Sequence, residues 1–540
     1  MKTNQDITLP PDLQSHHEGT GATRKQHPVY SNLLPPCNNA CPAGQNIQAW
    51  LSLAQAGHYE AAWRVIMEDN PLPAVTGRVC YHPCEGQCNR SYIDDAVNIH
   101  AIERFLGDKA LQAGWTMDTA PFTGKRVLIV GAGPAGLSAA YHLARKGHYV
   151  EIHEAGPIAG GMMHFGIPAY RLPRRELDVE VARICKMGVH VLYNHKVEDL
   201  LSEKTQGQFD AVFLAIGSHL SKKVDLPVKD ACNMLDALTF LKQVEDGTAP
   251  QLGKRVAVYG GGNTAMDAAR TVKRMGIADT MIIYRRDRNH MSAHEFEAQE
   301  ALDEGVTIHW LRSIKSVEGL TMTVEVMELQ DGKPVPTGRL ETLEADCLIM
   351  ALGQEADTGF LKKVPGIAFT PDDNVLVNES MMTGHAGIFA GGDMVPGERN
   401  VTIAIGHGKK TAHYIDAYLK DQLYTPPALP PLIGYEKLHR WYRTYAPQGM
   451  QAERPVAERM AGFDEVKYGL QEKEVLFEAR RCLSCGNCFE CDGCYAACPQ
   501  HAILKLGPGN GYTFNYDQCT GCAVCSEQCS CHAIEMVPGP

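Results

Sequence analysis

Arg126–Gly136, RVLIVGAGPAG, decides how the rest of the chain is read. Arg126–Val130 ends in four apolar residues suited to a strand buried on both faces. Gly131, Gly133 and Gly136 follow as G-x-G-x-x-G, with Pro134 and Ala135 opening a stretch whose Leu137, Ala140, Tyr141 and Ala144 recur at helical spacing as far as Gly147. The first glycine makes a tight turn, the second lets backbone approach a pyrophosphate, and the third lets helix and strand pack closely. Phosphates then rest on the helix N-terminus, where unpaired N–H groups and the helix dipole favour anions. Tyr149–His153 reads as the next strand, and Glu154 at its end stands 18 residues past Gly136, placed to grip a ribose. A glycine-rich turn alone would need neither the strands nor the acid. The whole pattern reads as a dinucleotide-binding unit.

Arg255–Ala265, RVAVYGGGNTA, repeats the design with Gly260, Gly262 and Ala265, and with Asn263 and Thr264 at the start of a helix running to about Gly276. The following strand, Thr280–Tyr284, ends in Arg285 and Arg286 where the first unit has Glu154. An acid there holds a ribose 2′-hydroxyl, whereas arginines accommodate a 2′-phosphate, so the second unit is expected to prefer NADPH over NADH. The bland alternative is two arginines solvating a strand end. Ala159–Leu177, AGGMMHFGIPAYRLPRREL, reads as a loop that lets backbone approach something flat, with Gly161 and Arg171 as candidate contacts. Phe209–Gly217, FDAVFLAIG, is a buried strand ending at Gly217. Ala345–Gly353, ADCLIMALG, echoes it and ends at Gly353, which suggests a return to the first domain after an insertion. Gly387–Asp393, GIFAGGD, supplies Gly392 and Asp393, and Val401–Ala412 looks like a helix beginning at a ligand, with Thr402 in its first turn.

Cysteine is the compositional outlier: of 19, five lie within Cys37–Cys88 and eleven within Cys482–Cys531. Clusters of this kind in a chain without an export signal bind metal rather than form disulfides. Cys488-x2-Cys491-x2-Cys494-x3-Cys498-Pro499 and Cys519-x2-Cys522-x2-Cys525-x3-Cys529 form the bacterial two-cluster ferredoxin pattern, in which the fourth cysteine of each run ligates the other cluster. Cys488, Cys491, Cys494 and Cys529 are thus expected to hold one [4Fe–4S], and Cys519, Cys522, Cys525 and Cys498 the other. The second run has Ser530 in place of the proline. Near the N-terminus, Cys41, Cys80, Cys84 and Cys88 could close a further [4Fe–4S] cluster or a structural zinc site, with Cys37 left over. Cys185, Cys232 and Cys347 are isolated and apolar-flanked, as core residues are.

At 540 residues the chain has room for three or four domains. It shows no apolar h-region and no apolar run of membrane-spanning length, so a cytoplasmic protein is expected. A formal charge of −12 argues against nucleic acid as a partner.

The order of these parts resembles the small subunit of glutamate synthase and the wider family of flavin and iron–sulfur NAD(P)H oxidoreductases, which includes the electron-entry half of dihydropyrimidine dehydrogenase. The resemblance runs from about Cys37 to Leu419 and rests on CPAGQNIQAW, TGRVCYHPCEGQC, GAGPAGLSAA, AGGMMHFGIPAYRLPR, GGGNTAMDAAR, YRRDR and GIFAGGD. It implies an α/β chain with two Rossmann-like domains, the NADPH domain inserted in the FAD domain, behind an N-terminal α-helical iron–sulfur domain. The C-terminal α+β ferredoxin domain is this chain's addition. The expected boundaries are a flexible arm at 1–30, the helical domain at 31–120, and the FAD domain at 121–228 and 346–423. The NADPH domain takes 229–345, a connector 424–480, and the ferredoxin domain 481–540. By the family pattern Gly131, Gly133, Gly136, Glu154 and Asp393 would line FAD, and Gly260, Gly262, Asn263, Thr264, Arg285 and Arg286 would line NADPH. The family usually carries R-C-x-x-C-G ahead of the pair matched by Cys37 and Cys41; here EARRCLSCG (Glu478–Gly486) near the other end looks like that missing motif. Three clusters are therefore expected, and four if Cys482 and Cys485 join Cys37.

Nicotinamide exchanges a hydride, a cluster passes single electrons, and a flavin does both. The expected path is NADPH, FAD, clusters and then a protein partner, or the reverse, with no catalytic side chain required. A ferredoxin or a larger redox complex is the expected partner, this chain serving as NADP-coupling subunit of, for example, a 2-oxoacid:ferredoxin oxidoreductase. Glutamate synthesis is the runner-up, and a non-catalytic wiring subunit the alternative of another class. A thioredoxin-reductase-like activity is disfavoured, because between Arg126 and Leu419 the three cysteines are far apart in sequence.

Overall fold

The computed structural model describes residues 24–222, 226–229, 233–440 and 443–539. Cys232 and the first 23 residues of the expected arm lie outside them. Arg126–Val130 takes the centre of a five-stranded parallel sheet, in the order Ile388–Ala390, Ala211–Leu214, Arg126–Val130, Tyr149–His153, Val189–Leu192. Its last four residues are buried, as a strand covered on both faces requires. Helices Pro134–Arg145 and Val401–Leu419 pack on one face, where Leu137, Leu143, Ile405 and Ile415 join one core. Cys185 packs against that core.

A second five-stranded parallel sheet runs Thr307–Trp310, Asp279–Tyr284, Arg255–Tyr259, Cys347–Met350, Asn233–Asp236. Here the expected return to the first domain is corrected. Cys347–Met350, from the ADCLIMALG echo, belongs to the second sheet, with Cys347 fully buried in its core. The echo has a physical origin: each glycine turn needs a neighbouring strand to close against. A Cβ on Gly131 would meet the Ala215 carbonyl oxygen at 2.5 Å, and one on Gly260 would meet that of Ala351 at 2.2 Å. The crossings between sheets lie side by side, Leu220–Ser221 pairing antiparallel with Gln354–Glu355. An antiparallel meander, Arg312–Glu318, Thr321–Gln330 and Lys333–Glu344, extends the second domain.

The helical domain is built from Ile47–Gln55, Tyr59–Met67, Pro73–Val79 and Ile99–Ala113. Gly77 and Gly107 allow the last two to touch backbone to backbone, since a Cβ on either would fall 2.4 Å from a main-chain nitrogen, of Arg104 or Ala74. Three boundaries shift. Helix Glu472–Arg480, expected in a connector, places Val475 and Ala479 in the same core as Trp50 and Ile102. Cys482 packs against that core too, and so belongs to the helical domain rather than to the ferredoxin domain. Gln26–Tyr30, expected in the arm, is a strand paired antiparallel with Ile534–Pro538. A strand near the start of the described residues thus pairs with one near their end, at the edge of the ferredoxin domain. Among the described residues no helix is long and apolar enough to cross a membrane.

Candidate redox centre

At the first glycine turn, helix Pro134–Arg145 begins at Gly133, which caps it with no side-chain hydrogen bond, so the first-turn N–H groups stay open to an anion. A Cβ on Gly136 would lie 2.0 Å from the Gly131 carbonyl oxygen. Glu154 spans the turn: Oε2 accepts from Ala132 N and Oε1 from Gly156 N, both at 2.7 Å. The loop carrying Gly161 closes over it, Gly160 N donating to Ala132 O at 2.8 Å, and a Cβ on Gly161 would come within 2.9 Å of Gly133 Cα. From the other side Gly392 approaches Ala135, and its N–H donates to His407 Nδ1 at 3.2 Å. Burial pushes the neighbouring Asp393 carboxyl up to about 6, against the pull of Arg399. Backbone lines this cleft almost throughout, which fits a flat, pyrophosphate-bearing group such as FAD.

The guanidinium of Arg171 is taken up by Asp267, at 2.7 Å, and Glu297, at 2.5 Å, so it ties the FAD-side loop to the second domain. At the second turn Gly262 again caps its helix without a side-chain bond. Arg285 is exposed and Arg286 half-buried, and among the described residues neither meets a carboxylate, while nearby Arg288 pairs with Glu295. Two unneutralised guanidinium groups at the strand end fit a 2′-phosphate. Thr264 Oγ1 accepts from Gln354 Nε2 at 3.5 Å, next to the domain crossing, and Gly217 and Gly353 both adopt positive φ beside it.

Through Cys80 and Tyr81 the helical domain reaches helix Val401–Leu419 and the second glycine turn. The Thr402 hydroxyl faces the Cys80 thiol. One residue on, Tyr81 accepts a 2.6 Å hydrogen bond from Asn263 Nδ2 and stacks on His294 with ring centroids 3.7 Å apart. Cys41-Pro42-Ala43 docks on the same helix as Thr402, since a Cβ on Gly406 would lie 2.2 Å from the Pro42 carbonyl oxygen, and Lys409 Nζ bonds Ala43 O and Asp69 Oδ1.

Among the described residues, fifteen of the sixteen cysteines in the two clusters sort into four groups, Cys84 lying with Cys41 and Cys80. Cys37, Cys88, Cys482 and Cys485 line a single cavity with Asn89, whose Nδ2 donates to Cys485 Sγ. Cys88 therefore does not close a set with Cys41, Cys80 and Cys84, as the spacing suggests. It follows the helix Pro83–Gly86 that carries Cys84 and neighbours Cys482. Cys41 and Cys80 instead face the fully buried Glu103, whose Oε1 accepts from Gln45, Asn70 and Thr76 at 2.7–3.0 Å. Burial pushes Glu103 up, Cys41 to about 11 and Cys80 to about 12; holding all three as anions there takes a bound cation. In the ferredoxin domain Cys494 neighbours Cys529, Cys488 and Cys491, while Cys498 shares a cavity with Cys519, Cys522 and Cys525. The exchange of fourth cysteines is present in the geometry. Main-chain N–H groups point at the sulfurs, Ala502 N to Cys498 at 3.3 Å and Ala533 N to Cys529 at 3.1 Å.

Two residues escape a motif reading. Glu103 had a signal in the pattern IHAIERFLG, where it falls on the stripe of Ile99, Ile102 and Leu106, a charge on a buried face. Tyr81 carries no signal, because its role depends on domain docking.

Two dinucleotide folds around one flavin-type cleft, with cysteine cages at both ends, define a pyridine-nucleotide oxidoreductase that carries iron–sulfur clusters. The profile of the pyridine nucleotide-disulphide oxidoreductase family matches residues 125–408, and that of dihydropyrimidine dehydrogenase domain II, 4Fe-4S cluster, matches residues 30–115. The chain is 36% identical over 498 residues to the beta subunit of an NADP(+)-dependent formate dehydrogenase from Moorella thermoacetica, covering 83% of this chain and 70% of that one. It is 32% identical over 527 residues to the beta subunit of an NADPH-Fe(3+) oxidoreductase of Geobacter sulfurreducens, covering 88% and 78%. To the small chain of glutamate synthase [NADPH] from Escherichia coli it is 34% identical over 424 residues, covering 72% and 89%. The chain belongs to the pyridine nucleotide-disulphide oxidoreductase family, in the flavin and iron–sulfur branch that includes glutamate synthase small subunits. It is an NADPH-dependent electron-transfer oxidoreductase with FAD and [4Fe–4S] clusters.

Proposed function

We propose that this chain exchanges electrons between NADPH and a low-potential protein partner, a ferredoxin or a larger redox enzyme, as the NADP-coupling subunit of a hetero-oligomer. The carrying observation is the Cys80–His82 segment, which meets Thr402 on the FAD side and Asn263 on the NADPH side. When bound, FAD supplies the conversion of a hydride into single electrons. The chain's own residues do the positioning. Gly131–Gly136 and Glu154 hold the flavin nucleotide, while Gly260, Gly262, Ala265, Arg285 and Arg286 hold NADPH. Asp393 and Thr402 border the flavin where the helical domain docks. The C-terminal ferredoxin domain gives electrons a path to the surface, where Cys488, Cys491 and Cys522 are exposed. A 2-oxoacid:ferredoxin oxidoreductase is a partner of the right chemistry, and the names of the formate dehydrogenase and Fe(3+) oxidoreductase relatives agree with a subunit that serves different enzymes.

Four clusters account for the cysteine groups. Cys37, Cys88, Cys482 and Cys485 hold the first; Cys41, Cys80 and Cys84 with the Glu103 carboxylate hold the second; the ferredoxin domain holds two. Anaerobic NADPH titration of the holoprotein, followed by bleaching of the flavin absorbance and viologen reduction, tests the function. No bleaching by either nicotinamide would leave a wiring subunit instead. Co-purification from native cells identifies the partner.

A further inference from the structure

On the far side of the FAD sheet, two histidines and two carboxylates converge in a place none of the redox groups uses. His153 is the last residue of strand Tyr149–His153 and is buried between the sheet and helix Leu200–Gln206, beside Phe209. Its Nε2 lies 2.9 Å from Glu151 Oε1. A carboxylate only accepts, so Nε2 carries a proton, and in the neutral ring Nδ1 holds the lone pair. That Nδ1 is buried, makes no hydrogen bond, and faces Glu203 Oε2 at 3.5 Å. Glu203 Oε1 in turn lies 2.9 Å from His195 Nε2, and the two imidazoles meet edge to face with centroids 4.5 Å apart. The neutral ring's lone pair aimed at a carboxylate oxygen is repulsive unless positive charge, a second ring proton or a bound cation, stands between them.

We propose that His153 Nδ1, His195 Nε2 and Glu203 form a binding site for a borderline divalent cation of the zinc class. One ligand atom from each lies within 4.8 Å of the others. Ligand atoms on a tetrahedral zinc stand about 3.3 Å apart, from Zn–N and Zn–O bonds of about 2.0–2.1 Å, so small side-chain movements complete the site. Two imidazoles and one carboxylate suit zinc and leave a fourth position for water. Glu151 on the far nitrogen of His153 is the carboxylate–histidine–metal arrangement that fixes a ligand's tautomer. Binding displaces the proton that His195 Nε2 shares with Glu203. The other histidine–carboxylate group, His82, Glu85 and His100, differs on this point: both nitrogens of His100 are already bonded, to Glu85 at 2.8 Å and Gln451 at 3.0 Å. The proposed cation also sits beside the FAD acid, because His195 N donates to the Glu154 carbonyl at 2.8 Å.

The test is incubation of the flavin- and iron-loaded holoprotein with zinc chloride, gel filtration and metal analysis, on wild type, His195→Gln and Glu203→Gln. Wild type retains about one zinc per chain and each variant retains none, with iron and flavin unchanged as the check on folding. Zinc K-edge absorption shows a first shell of nitrogen and oxygen at about 2.0–2.1 Å. The proposal is overturned if wild type retains no zinc, if both variants retain as much as wild type, or if the first shell is sulfur at about 2.3 Å. Glu151→Gln weakens zinc about 10–100-fold without removing a ligand.

Discussion

The side-chain amide of Asn263 donates to the Tyr81 hydroxyl at 2.6 Å, joining the NADPH fingerprint to the residue next to Cys80. Asn263 Oδ1 also accepts from His294 N at 3.1 Å, and the His294 ring stacks on Tyr81, so the contact locks from two sides. Tyr81→Phe keeps the stack and leaves the amide without its acceptor, a loss of about 1–2 kcal/mol. The apparent affinity for NADPH in flavin-bleaching titrations is expected to fall about 5–30-fold, with flavin content unchanged. An unaltered titration would show that the bond does not hold the nucleotide-binding arrangement.

Cluster membership is checked by iron counting. Cys88→Ser and Cys482→Ser are expected to remove the same cluster, so each single variant and the double variant lose about four irons relative to wild type, for which the proposed four clusters predict about 16. Cys41→Ser removes a different cluster, and its loss adds to that of Cys482→Ser. If Cys88→Ser and Cys41→Ser were the non-additive pair, the arrangement suggested by sequence spacing would be restored.

The strands and glycine turns were legible because they obey local rules: apolar runs for buried strands, fixed glycine spacing, an acid or arginines at the next strand end. The ferredoxin cage was legible too, as its eight cysteines carry a spacing code. What failed were pairings decided by long-range packing. Cys347–Met350 resembles Ala211–Leu214 because both flank a glycine turn, and likeness alone does not say which sheet takes it. Cys88 and Cys84 differ by one helical turn, and only the arrival of Cys482, nearly 400 residues later, turns one away from the other. Arg171 is a candidate cofactor contact in its loop, and its ion pairs with buried Asp267 and Glu297 carry no signal in the local sequence.

Arg286 offers the preference test. Its half-buried guanidinium has no carboxylate partner among the described residues, so Arg286→Ala removes a phosphate contact without stranding an acid. Charge-assisted bonds contribute about 1.5–3 kcal/mol, which corresponds to a rise in KM for NADPH of about 10–100-fold. KM for NADH should stay near its wild-type value. Equal losses with both nucleotides would assign the arginine to folding.

Gly406 separates the two halves of the electron path. A methyl group there would lie 2.2 Å from the Pro42 carbonyl oxygen, so Gly406→Ala must displace the loop that carries Cys41. The NADPH domain is not touched. Flavin bleaching by NADPH should continue at close to the wild-type rate, while electron delivery to an acceptor that draws on the ferredoxin domain slows. Equal rates for both steps in wild type and variant would mean that the Cys41 loop lies off the path.

Glu180 links pH to the docking of the helical domain. Its carboxylate, fully buried in the FAD domain, accepts from Ala74 N at 2.9 Å and pairs with Arg183 at 2.8 Å. Burial outweighs both and pushes the carboxyl up to about 7. A carboxyl raised in the folded state binds its proton more tightly there than in the unfolded chain. The resulting stabilisation is complete below about pH 4.5 and is lost as pH rises through about 7. A shift from 4.5 to about 7 corresponds to ~3 kcal/mol. Glu180→Gln is neutral at every pH, so its stability relative to wild type should climb between pH 5 and pH 8. Thermal unfolding of the two holoproteins across that range measures the difference, and parallel curves would show that Ala74 and Arg183 already hold Glu180 ionised.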